Sequence, residues 1–148
     1  MREIEFRAWI KDKNRMEFGI GVNPYYVTDC DRLFWKHEEV ELMQFTGLHD
    51  KNNNKIYEGD IVRYNTDDDF DCYSIVKFGT YKQDGSGGEY SGRECLGFYV
   101  DVDNFTCPDW TEDDASYFPH YLCTQNLNEV CSVCEIIGNI YENNELLS

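Results

Sequence analysis

The opening of the chain alternates apolar and polar positions. Ile4, Phe6, Ala8 and Ile10 share one face, and Glu5, Arg7 and Trp9 the other, which is the period-two signature of a half-buried strand. Lys11-Asp12-Lys13-Asn14-Arg15 reads as a polar turn, from which residues 16–22 return as a second strand. Residues 23–39 include Pro24 and mixed charge, hold no clear period, and read as irregular. Residues 40–46 alternate again as a strand that Gly47 breaks. A turn-rich stretch, His49 to Lys55, follows, because Asn and Asp tolerate left-handed backbone and hydrogen-bond their own chain. Glu58-Gly59-Asp60 then reads as a tight turn launching residues 61–64, with Gly59 at positive φ and the Asp60 carboxylate accepting turn N–H groups.

Residues 72–78 and 95–102 read as paired strands across a long connection, 79–94, which holds Gly85, Gly87, Gly88 and Gly92. Residues 103–119 are acidic, contain Pro108 and Pro119, and read as a loop or insertion. Residues 130–141 give the clearest late strand, with Gly138 as a bulge, and 142–147 one helical turn docking Leu146 and Leu147. Aromatic residues are abundant (11 Tyr, 9 Phe, 3 Trp), which favours strands over helices. The reading is mainly β, several short strands closing into small barrel-like sheets. A length of 148 residues suits one domain. Sub-lobes at about 1–64 with the C-terminal strand, and about 65–128 as an acidic insert, are the expected subdivision.

Charge sharpens that subdivision. The net charge is −16; residues 1–64 hold 12 acids and 10 bases, whereas residues 65–118 hold 13 acids and only Lys77, Lys82 and Arg93. Such a field repels phosphate backbones and attracts basic protein surfaces. Asp67, Asp68, Asp69 and Asp71, with Asp109, Trp110, Asp113 and Asp114, are therefore the candidate partner-binding residues, Trp110 as an aromatic anchor. The bases Arg2, Arg7, Lys11, Lys13 and Arg15 offer a competing nucleic-acid patch. An acidic face that mimics DNA and inhibits a nucleic-acid enzyme is a further alternative.

Catalytic and metal motifs do not assemble. Asp67-x-Asp69-x-Asp71 resembles the start of a calcium loop, but the positions requiring Gly and Glu are Cys72 and Phe78. Gly85-x-Gly87-Gly88 lacks the Lys-Ser/Thr of a phosphate loop. Of seven cysteines, Cys131 and Cys134 form a Cys-x-x-Cys pair, yet a zinc site needs two further ligands. Inside a strand-like run, the two thiols of such a pair face opposite sides. His37, His49 and His120 stand in no nucleophile or metal motif. The expectation is a non-enzyme without cofactor. No apolar run approaches the roughly 18 residues of a membrane span, and Met1-Arg2-Glu3-Ile4-Glu5 lacks the apolar core of a secretory signal, so a cytoplasmic protein is expected.

Three blocks carry a family resemblance. Residues 4–9 (Ile-Glu-Phe-Arg-Ala-Trp), 42–62 (Leu-Met-Gln-Phe-Thr-Gly-Leu-His-Asp-Lys-Asn-Asn-Asn-Lys-Ile-Tyr-Glu-Gly-Asp-Ile-Val) and 135–147 (Glu-Ile-Ile-Gly-Asn-Ile-Tyr-Glu-Asn-Asn-Glu-Leu-Leu) resemble the YopX family of bacteriophage and prophage proteins. Asn53-Asn54 replaces the family's usual Asn-Gly turn, and Asn144 its usual Pro. The resemblance implies a small SH3-like β-barrel with β-rich additions in a phage or prophage setting within a bacterial host. It implies no biochemical activity, and residues 65–130 lie outside the matching blocks.

Overall fold

In the computed structural model, residues 3–29, 33–65, 71–83, 93–106 and 125–147 are described. The mainly β expectation holds at the level of a curled half-barrel sheet, and among the described residues no helix exceeds four residues. The chain divides into two compact units, residues 1–47 and 48–148.

In the first unit, β1 (Phe6–Ile10) lies between β2 (Arg15–Phe18) and β6 (Val40–His49), antiparallel to both. Ala8 and Ile10 are fully buried with Ile20, Val27, Trp35 and Val40, and Phe6 and Leu42 pack against this cluster. The alternation read from the sequence thus sets the inner face, although Ile4 lies before the strand and is exposed. Arg7 departs from the pattern, being buried on the opposite face. The Lys11–Arg15 turn contains Asn14 at φ 46°.

Three expectations fail here. The second strand does not run through to Val22: it stops at Phe18, Gly19 takes φ 68°, and Gly21–Val22 form β3 in a different sheet. Residues 23–39 are also not irregular. They supply β4 (Val27–Thr28), β5 (Phe34–Trp35) and a 3-10 turn at His37–Glu39, and β3, β4 and β5 form an antiparallel three-stranded sheet. Strands of two residues are too short to display a period. What organises them is local: Asn23 Oδ1 accepts the N–H groups of Tyr25 (2.8 Å) and Tyr26 (3.0 Å), turning β3 into β4. β6 likewise passes through Gly47, which takes φ 83°, and ends at His49.

The second unit is built on β7 (Lys55–Tyr57), β8 (Asp60–Asn65), β9 (Asp71–Gln83), β10 (Arg93–Thr106), β11 (Gln125–Asn126), a four-residue helix α1 (Leu127–Val130) and β12 (Glu135–Asn139). Its five-stranded sheet has the order β11-β10-β9-β8-β12, antiparallel throughout. The core joins Ile56, Val62, Tyr64, Val76, Val100, Leu127 and Cys134. Pairing of β9 with β10 matches the expectation and extends it at both ends. A register shift between Ile136 and Gly138 confirms the bulge in β12. The chain closes with a 3-10 turn, Asn144–Leu147, in which Leu146 and Leu147 are half-buried; Asn144 opens it where the resembling family has Pro, a position that tolerates either.

Gly138 is required by proximity. A Cβ there would lie 2.5–2.7 Å from Oδ1, Cγ and Cβ of Asn143, the residue that folds back onto Asn139. Gly138→Ala is expected to destabilise the protein by about 1–3 kcal/mol, read as a lower denaturant midpoint. An unchanged midpoint would mean that the Asn143 turn contributes nothing.

Candidate partner-binding region

The two longer blocks of the family resemblance meet in space, and they meet through backbone hydrogen bonds. Asp50, only 5% exposed, sits at the centre. Its Oδ1 accepts the N–H groups of Asn52 and Asn54, both at 2.9 Å, closing the Asp50–Asn54 turn. Its Oδ2 accepts the N–H of Ile136 at 3.0 Å, 86 positions away. Beside it, Lys51 N–H donates to the Cys134 carbonyl at 3.0 Å. Burial pushes the Asp50 carboxyl upward, but hydrogen bonds from Ile136, Asn54 and Asn52 outweigh it and hold the group below its ordinary 3.8.

The neighbouring turns follow the same logic. Gly59 takes φ 82° and donates its N–H to Val76 O (2.8 Å), while Asp60 Oδ2 accepts the Tyr57 N–H (2.8 Å), as the sequence indicates. Ile140 N–H donates to Gly59 O at 3.0 Å, and Asn139 Oδ1 accepts the N–H groups of Tyr141 and Glu142, both at 3.0 Å. On the surface, Arg63 and Glu135 face each other across β8 and β12 and pair at 2.6 Å, with Lys51 3.5 Å from the same carboxylate. The Arg63 hydrogen bond, then the Lys51 charge, lowers the Glu135 pKa. Asp50, Asp60 and Asn139 therefore bond to the protein's own backbone, and Lys51 and Glu135 take part in an ion-pair cluster with Arg63.

The Cys-x-x-Cys pair is not inside a strand, contrary to the sequence reading. Cys131 to Val133 form a turn after α1, and β12 begins only at Glu135. The opposite-face argument therefore does not apply. The chemistry is set by burial instead: Cys134 is fully buried, and burial, then the Asp50 charge and Cys131, pushes its thiol up to about 12. Its S–H points to the Cys131 carbonyl (3.5 Å) and Cys131 S–H to Asn128 O (3.5 Å). A thiol held so far above neutrality is a poor nucleophile.

The acidic candidates fall largely beyond what is described. Asp67, Asp68 and Asp69, and Asp109, Trp110, Asp113 and Asp114, lie outside the described residues. Asp71 is placed by its backbone at the start of β9, opposite Asn65. The attachment points of the two stretches are informative. Residues 66–70 link β8 to β9, residues 107–124 link β10 to β11, and Tyr73 near the start of β9 pairs with Thr106 at the end of β10. Antiparallel pairing thus sets the strand ends next to these two stretches, Tyr73 and Thr106, side by side.

Of the competing basic patch, Arg7 is buried, Lys11 pairs with Glu41 at 2.8 Å and donates to Glu38 O, Arg15 pairs with Glu17, and Lys13 is exposed; Arg2 lies outside the described residues. Trp9 is half-buried, and Trp35, which the periodicity did not single out, is a core residue of the first unit. Exposed apolar side chains gather in two places: Tyr25, Tyr26 and Phe34 on the small sheet, with Tyr26 and Phe34 edge to face at 4.9 Å, and Phe78 with Leu96 on the β9–β10 ladder. Among the described residues no group of three or more His, Cys, Asp or Glu is placed to hold a metal ion, and no helix is long and apolar enough to cross a membrane.

Comparison with known proteins gives a family and a fold. The model of the family described as "YopX protein" matches residues 5–148. No curated protein matches. A crystal structure of protein EF1440 from Enterococcus faecalis is similar over 100% of both chains, with a TM-score of 0.57 and 19% sequence identity, a level that speaks to the fold alone.

Two outcomes follow. Replacing Asp50 by Asn is expected to cost about 2–4 kcal/mol at neutral pH, because a buried charged acceptor of three backbone N–H groups is lost. Since the folded-state pKa lies below the unfolded value, this stabilisation is full above about pH 4 and disappears as pH falls through the folded-state pKa. The gap between wild type and Asp50→Asn in denaturant titrations should therefore close with acidification. A gap independent of pH would refute the assignment. In thiol labelling of the native protein near pH 8, Cys134 should resist alkylation while Cys131 reacts; equal rates would contradict the burial of Cys134.

Proposed function

Because the chain belongs to the YopX family, and its signature residues are engaged in holding the fold, we propose that it is a nonenzymatic phage or prophage accessory protein that binds a protein partner. The β scaffold presents the acidic stretches around Asp67–Asp69, Asp71 and Asp109–Asp114 as the contact surface, and the setting is the cytoplasm of a bacterial host. The observation that carries this reading is the segregation of charge: residues 65–118 hold 13 acids against three bases, and the described strand ends from which the acidic stretches leave, Tyr73 and Thr106, are paired in the β9–β10 ladder. A span this acidic carries a field that steers and selects basic partners. Engagement of the Asp50, Asp60, Asn139 and Glu135 side chains in turns and an ion pair supports a structural role for the matching blocks. The pairing of Lys11 and Arg15, with the burial of Arg7, favours this reading over nucleic-acid binding.

The test is a tagged pull-down from host lysate, with nuclease present, comparing wild type with a variant in which Asp67, Asp68, Asp69, Asp71, Asp109, Asp113 and Asp114 are changed to Asn. The expected result is a nuclease-resistant protein partner, weakened by salt because exposed charges are screened, and lost in the variant while its melting temperature is kept. Equal capture by the variant, or capture that disappears with nuclease, would overturn the proposal.

A further inference from the structure

The β9–β10 ladder carries an apolar surface that leaves the core and continues into solvent. Val76 faces Val100, Phe78 faces Phe98, and Thr80 faces Leu96, so alternate residues place these six side chains on one face of the sheet. The first pair is fully buried in the core of the second unit, and Phe98 packs partly against that core. The surface then opens: Phe78 is 51% exposed and Leu96 74% exposed. Phe78 and Phe98 meet edge to face, with centroids 4.9 Å apart and planes at 61°. That arrangement fixes both rings, so the strip is a preformed shelf rather than a pair of swinging side chains. On the opposite face, Gly79 pairs with Gly97, and Tyr81 stacks on Tyr99 at 5.0 Å.

The charge of the same span indicates what would cover the shelf. Residues 65–118 hold 13 acids against three bases, Lys77, Lys82 and Arg93. Lys77 lies on the other face, opposite Tyr99, and Lys82 is opposite Glu94 in the ladder. The charge left unbalanced is negative. A second copy of this chain, at net −16, would be repelled, whereas a basic segment would be drawn in.

We propose that Phe78, Leu96 and Phe98 form an anchoring site for an aromatic or aliphatic side chain flanked by Lys or Arg in a partner protein. This deepens the partner-binding reading above and rests on it. The acids supply attraction at a distance and the shelf supplies the contact that excludes water, so apolar content in the partner should add affinity beyond what its charge gives.

The test uses the full chain and three synthetic peptides of equal length: one with lysines and a central Trp-Leu pair, one with the same lysines and Ser in place of that pair, and one with glutamates around Trp-Leu. Binding is followed by calorimetry at near-physiological salt. The expected order is the Lys/Trp-Leu peptide about tenfold or more tighter than the Lys/Ser peptide, and no binding of the Glu peptide. Phe78→Ser with Leu96→Ser should bring the first peptide down to the second; if that pair of changes lowers the melting temperature, Leu96→Gln alone, at the more exposed position, makes the same comparison. Equal binding of both lysine peptides would overturn the anchor while leaving the acidic contact surface standing. If neither lysine peptide binds, both the anchor and the acidic contact surface are overturned. A wild-type dimer in sedimentation that Leu96→Gln dissociates would assign the shelf to a second copy and overturn the proposal as well.

Discussion

The carboxylate of Asp50 is the interaction on which the second unit depends. One oxygen closes the turn from Asp50 to Asn54, and the other reaches the backbone of Ile136 in β12. A single buried charge thereby ties a local turn to the far end of the sequence. Water would hydrate that charge well, so burial is tolerated only because three N–H groups replace water. The dependence is mutual: without the carboxylate, those amides would be left without their acceptor inside the protein.

Around that tie, the sheet is consistent at each level. Gly59 supplies the positive φ that lets Tyr57 N–H meet Asp60 and Gly59 N–H meet Val76. The bulge at Gly138 makes room for Asn143, which turns the chain into its last 3-10 element. The family-matching blocks are thus largely a folding device. Polar residues that resemble a site in the sequence act here as caps and turn acceptors, and the thiol of Cys134 is held neutral by burial beside Asp50. The proposed partner contacts accordingly draw on the β9–β10 ladder and the acidic span 65–118 rather than on these blocks.

Much of this was legible from single residues. Alternation placed Ala8 and Ile10 in the core, Glu58-Gly59-Asp60 announced its own turn, and Gly138 its bulge. These are local effects whose period or φ requirement is written in a few adjacent residues. What was not legible acts over distance or below the length at which a period can be seen. The Asn- and Asp-rich turn after His49 was readable as a turn, but nothing near Asp50 signals that its second oxygen serves Ile136. The strands β3, β4 and β5 are two residues each, too short for alternation, and Asn23 is their only local sign. The Cys-x-x-Cys pair reads as strand because apolar β-formers follow it, although it lies in the turn between α1 and β12. The pairing of Tyr73 with Thr106, which sets the two ends of the β9–β10 ladder side by side, is a register that no local signal supplies.

The most direct test of the central claim is native-state hydrogen exchange at the amides that Asp50 accepts. If the carboxylate ties the two blocks into one cooperative unit, Asn52, Asn54 and Ile136 will exchange only with the global opening that exposes Val62 and Val76, at the same free energy. Exchange of Ile136 or of the Asn52–Asn54 turn at a much lower free energy than β8 and β9 would show a contact that frays by itself, and would contradict the account.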